Sequence, residues 1–131
     1  MFFRVLLISV AFLISAQAQA EDKKLIGSYC DKSMGPAIGY FLYDFYQDAA
    51  GNYYLAEQKN KDGKRGPANA ARLDVTDQNI LRSDDYFETS YDFNSADGNV
   101  RRYFARDANP LKQILYKVDS STRYKDCFGW D

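Results

Sequence analysis

Cys30 and Cys127 are the only cysteines in the chain, and almost all of the sequence that could form a domain lies between them. Whether they pair depends on the compartment, which the first twenty residues indicate. Met1-Phe2-Phe3-Arg4 gives a short start with one positive charge, residues 5–14 form an apolar run too short to span a bilayer, and Ala18-Gln19-Ala20 is a small-x-small cleavage pattern. This is the layout of a bacterial secretory signal peptide over residues 1–20, removed on export. In an oxidising compartment the two cysteines form one disulfide. In chain-entropy terms, closing so long a loop stabilises the fold by roughly 4–5 kcal/mol. The bridge brings the two ends of the mature domain, residues 21–131, side by side, as in a sheet that closes on itself. The bulky Tyr29 before Cys30 does not fit a lipoprotein processing site, and no C-x-x-C pair suggests redox chemistry. The protein is expected in the periplasm or secreted, with no membrane anchor after cleavage.

The mature chain reads as short strands separated by turns. Strands are expected at residues 25–30, 39–47, 53–59, 70–75, 79–82, 86–94, 100–107, 112–118 and 123–128. Hairpin loops fall at Asp48-Ala49-Ala50-Gly51-Asn52 and Ser95-Ala96-Asp97-Gly98-Asn99. Period-2 alternation supports several of these strands. In the sixth, Phe87, Thr89, Tyr91 and Phe93 share one face, and Glu88, Ser90 and Asp92 the other. The second is apolar on both faces, with Phe41, Tyr43 and Phe45 on one and Tyr40, Leu42 and Tyr46 on the other. Eleven Tyr and nine Phe suit a pleated, half-buried surface. The expected fold is all-β: a small antiparallel barrel of eight or nine strands, or a sandwich, closed by the disulfide. No amphipathic helix or repeat is apparent.

Composition narrows the function. The chain has no histidine, which removes the commonest general base and metal ligand, and no nucleophile motif is present. No catalytic residue, cofactor or metal site is expected, and the protein is read as a non-enzyme. Seventeen basic residues against eighteen acidic ones give no basic surplus for nucleic acid.

Two charged segments are the candidate partner-binding sites. The first is the loop 59–67, with Lys59, Lys61, Lys64 and Arg65 beside Gly63 and Gly66. It reads either as a finger that enters an acidic cleft, with Lys61, Lys64 and Arg65 as contacts, or as a solvated turn. The second is Ser83-Asp84-Asp85-Tyr86, where Asp84 and Asp85 suit a basic partner or a plain solvated surface. Arg101, Arg102 and Arg106 on the next strand are expected to pair across the hairpin with Glu88 and Asp92. Trp130, the lone tryptophan, is expected to plug a barrel end, with an exposed anchor for a partner as the other reading.

Ser28-Tyr29-Cys30 near the start, Tyr124-Lys125-Asp126-Cys127 near the end and the basic Asp62-Gly63-Lys64-Arg65 between them give a layout that resembles the periplasmic C-type lysozyme inhibitors and their adhesin-complex relatives. The resemblance implies a small exported β-barrel that binds and inhibits a peptidoglycan hydrolase, or serves as the immunity partner of a toxin. The family's Ser-Gly-x-x-Tyr loop and the following Trp-x-Lys-Gly segment have no counterpart here, so no inhibitory residue is carried over. A lipocalin-like carrier of a small apolar ligand is the alternative, and it requires a hollow barrel.

Overall fold

The computed structural model describes residues 22–130, so the signal-peptide reading of residues 1–20 lies outside the described residues. Eight strands run up and down in sequence order and close into an antiparallel barrel. They are β1 (Lys24–Asp31), β2 (Phe41–Gln47), β3 (Tyr53–Lys59), β4 (Ala71–Asp77), β5 (Ile80–Ser83), β6 (Thr89–Asp92), β7 (Val100–Phe104) and β8 (Gln113–Val118). Two short helices complete the fold: α1 (Gly35–Ile38) between β1 and β2, and α2 (Arg123–Phe128) after β8. Closure is made by β1 against β8, with Ser28 opposite Val118 and Cys30 opposite Tyr116.

Turn chemistry matches the hairpins. In the β2–β3 loop Gly51 takes φ +88°, and the Asp48 carboxylate accepts hydrogen bonds from the Asn52 N–H at 2.9 Å and the Tyr54 hydroxyl at 2.8 Å. Sequence alternation then decides what lies inside. Tyr29, Tyr43, Phe45, Leu55, Leu73, Leu81, Tyr91, Val100 and Leu115 form one buried cluster. Its rings meet across the barrel as well as along the wall. Phe45 on β2 and Tyr91 on β6, on opposite walls, have centroids 5.3 Å apart and edge-to-face. Phe93, just past β6, adds contacts to Phe45 at 5.0 Å and Tyr29 at 5.9 Å. Side chains therefore fill the barrel axis.

The segment 123–128, expected as a ninth strand, is a helix. Its Tyr124, Cys127 and Phe128 recur at helical spacing and form one apolar face. That face lies on the outer wall of β1 and β2, where Cys30 and Leu42 point away from the barrel axis and are covered with Cys127 and Phe128. This explains why β2 is apolar on both faces: one packs inside the barrel and the other under α2. The Cys30–Cys127 disulfide links the outer face of β1 to α2, with Cα atoms 5.6 Å apart. Gly129 ends the helix at φ +75°, its N–H donating to the Lys125 carbonyl at 2.9 Å while the Trp130 N–H donates to the Tyr124 carbonyl at 3.3 Å. This left-handed cap turns the chain back, and Trp130 stacks on Tyr124 at 5.6 Å. Trp130 thus packs on the outer wall and not over a barrel end.

A buried polar network fastens α2 beneath its apolar contacts. Asp44 on β2 is fully buried and accepts from Ser28 Oγ at 2.8 Å, Gln58 Nε2 at 3.3 Å and Arg123 Nε at 3.0 Å. Burial pushes the Asp44 carboxyl above the usual carboxylate range, while Ser28, Arg123 and Gln58 draw it back.

Candidate functional site

Strict up-and-down topology sends alternate loops to opposite ends of the barrel. The β1–β2, β3–β4, β5–β6 and β7–β8 connections share one end. Both charged segments singled out from the sequence therefore lie at the same end, the cationic loop before β4 and the acidic turn before β6. Among the described residues no ion pair joins them.

The individual residues are used differently. Lys61 Nζ donates to the Ala37 carbonyl at 2.7 Å and so ties the cationic loop to α1. Lys64 lies back over the Tyr124 ring, 4.7 Å from its centroid. The Arg65 backbone N–H donates to Gln58 Oε1 at 2.8 Å. Its guanidinium is exposed and forms no hydrogen bond or ion pair among the described residues, which leaves it the freest cation of the three. Asp85 accepts from the Thr89 N–H at 2.9 Å and from Thr89 Oγ1 at 2.7 Å, so it serves the turn into β6. Asp84 is exposed beside it.

The expected cross-strand pairing of the arginines differs from what is seen. Arg101 stands opposite Asp92 in register, yet its guanidinium pairs with Asp97 at 2.7 Å, four residues back in the hairpin loop. Arg106 lies over the Tyr86 ring at 4.6 Å. Arg102 points into the barrel, because it shares the phase of Val100 and Phe104.

Two features of this end were not singled out from the sequence. The first is apolar exposure. Leu111 is 91% exposed and Tyr86 71%, with Met34, Ile38 and Phe87 also in solvent. Glu88 explains Phe87: its φ of +52° breaks the strand alternation, so Phe87 leaves the face that Thr89 and Tyr91 occupy. The second is Arg102 at the mouth. Its Nη1 donates to Gln113 Oε1 at 3.2 Å, and its guanidinium carbon lies 5.1 Å from the Phe104 ring and 6.0 Å from that of Tyr43. Gln113 in turn donates to the Asp31 carboxylate and to Ser33 Oγ. Burial opposes the Arg102 charge, but the pull of Tyr43, Tyr91 and Glu57 outweighs it and holds its pKa above the usual arginine value. Burial likewise pushes the Tyr43 phenol up strongly and the Tyr91 phenol to about 12. The sequence does carry a signal for Arg102, a charge in the apolar phase of the seventh strand.

An open groove of about 670 Å³ straddles the rim here, lined by Met34, Arg102, Phe104, Leu111, Gln113 and Tyr116 among others. Among the described residues no cluster of three or more His, Cys, Asp or Glu side chains is placed to hold a metal ion. No helix among them is long and apolar enough to cross a membrane. Comparison of the chain with protein-family models, curated proteins and solved structures gives no match.

Proposed function

We propose that this protein is an exported binding module that inhibits a cell-wall hydrolase, as a lysozyme-inhibitor-like protein or the immunity partner of a toxin. It would act in the periplasm or after secretion. The observation that carries the reading is the make-up of the loop end. Met34, Ile38, Tyr86, Phe87 and Leu111 stand in solvent on the same end of a rigid barrel as the unpaired cation Arg65 and the exposed Asp84. Exposed aromatic and aliphatic side chains with charges around them are the make-up of a protein-binding surface. A closed barrel holds such loops in place, so little entropy is lost on docking. Lys61, Lys64 and Arg65 would face carboxylates of the partner, and Asp84 its cations. The filled barrel axis supports this reading over the interior carrier, which needs an empty lumen.

The test is an affinity capture with purified residues 21–131, disulfide intact, against a periplasmic extract together with muramidases and peptidoglycan amidases. Retention of one hydrolase whose activity falls on mixing is the expected result. Retention of no protein overturns the proposal.

A further inference from the structure

The rim groove has the construction of a small-molecule site. Its walls are apolar, supplied by Met34, Phe104, Leu111 and Tyr116, and its volume of about 670 Å³ falls in the range of ligand pockets. Its lining includes a cation, Arg102. Arg102 Nε is the one buried side-chain nitrogen or oxygen among the described residues that lacks a hydrogen-bond partner. The guanidinium also lacks a carboxylate partner: the ion pairs among the described residues are Arg101–Asp97 and Arg123–Asp44. Gln113 and the aromatic rings of Tyr43 and Phe104 hold Arg102 in place, and Glu57 acts on its charge without forming an ion pair with it. A half-buried guanidinium left in this state can donate charge-assisted hydrogen bonds to an anion.

The surrounding acids limit the charge of that anion. Asp107 lines the same groove, Asp31 is bound to the far side of Gln113, and Glu57 acts on the guanidinium from β3. A multiply charged group such as a phosphate monoester would be repelled more strongly by all three than a single carboxylate, which matches the one guanidinium lining the groove. We infer that the groove binds a small amphiphile bearing one carboxylate, with the head on Arg102 and the apolar body along Leu111, Met34 and Phe104. The inference does not rest on the hydrolase reading, and because Met34 and Leu111 belong to both surfaces, a ligand in the groove would compete with a partner docked at this end.

Calorimetric titration of the disulfide-intact mature protein with 4-phenylbutyrate and with 4-phenylbutyramide tests it. The acid is expected to bind about tenfold or more tighter than the amide, as a charge-assisted pair would give. Arg102→Gln should erase that preference, and Leu111→Ser, at an exposed loop position, should weaken both ligands. Should Arg102→Gln fail to fold, NMR of the unmodified protein reads the same contact: the acid must shift the Arg102 Nε–H and Leu111 methyl signals together. Equal binding of acid and amide, absence of saturable binding at millimolar ligand, or shifts confined to residues away from the groove would each overturn the inference.

Discussion

Arg123 and Asp44 meet where α2 lies on the barrel wall, and the pair is lopsided. The Asp44 side chain is fully buried, whereas 21% of the Arg123 side chain remains in contact with solvent. Removing the arginine strands a carboxylate held by Ser28 and Gln58 alone. Arg123→Met is expected to cost about 3 kcal/mol in urea denaturation, and adding Asp44→Asn should recover part of that by removing the stranded charge. Tyr91 gives a pH prediction. Its folded pKa, about 12, lies above the ordinary 10.0 because burial disfavours the phenolate. The neutral phenol's contribution is therefore complete below pH 10 and is lost as pH rises through about 12. Melting temperatures measured from pH 9 to 12 should fall in the parent protein and fall less steeply in Tyr91→Phe. Glu88, held at φ +52°, gives a third. Glycine adopts that conformation freely, so Glu88→Gly should stabilise the protein by about 1 kcal/mol by the same denaturation measurement.

At the scale of elements, the strands were legible and the final helix was not. Phe41, Tyr43 and Phe45 alternate cleanly and lie inside the barrel, and β3 has the bounds expected of it. Residues 123–128 do not alternate, with Lys125-Asp126 and Cys127-Phe128 as like neighbours, whereas Tyr124, Cys127 and Phe128 sit at helical spacing; a six-residue segment is too short for that period to stand out. The neighbouring wall settles the choice: Cys30 and Leu42 present an outward apolar face for a helix to cover. A helix this short does not form by itself in water. It is held by the disulfide, by Asp44–Arg123 and by the stacking of Trp130 on Tyr124. Replacing both cysteines by serine should lower stability by about 4 kcal/mol. Trp130 fluorescence should shift to the red as α2 loosens, while far-ultraviolet circular dichroism of the sheet persists.

For the whole molecule, the disulfide and the even strand spacing pointed to a closed barrel, and closure has a consequence that single strands do not reveal. It gathers loops distant in sequence at one end, so the cationic segment around Lys64 and the acidic one around Asp84, 20 residues on, share that end. The exposed Leu111 is hidden in loop sequence, because a solitary apolar residue in a loop carries no period, whereas Tyr86 and Phe87 fall in the expected sixth strand, which in the structure begins only at Thr89. Arg102 was read as a surface cation because three arginines in one strand suggested hairpin ion pairs. Strand phase places it inside instead, at the mouth of the barrel, where it forms no ion pair among the described residues.

The loop end as an inhibitory surface is tested most directly by titrating the mature, disulfide-intact protein into muramidases and peptidoglycan amidases while following lysis of cell-wall substrate. One enzyme should lose its activity at equimolar protein. Arg65→Glu combined with Phe87→Ser should then weaken inhibition about thirtyfold, the equivalent of roughly 2 kcal/mol for a residue buried on binding. Undiminished activity of every enzyme at large molar excess would contradict the reading.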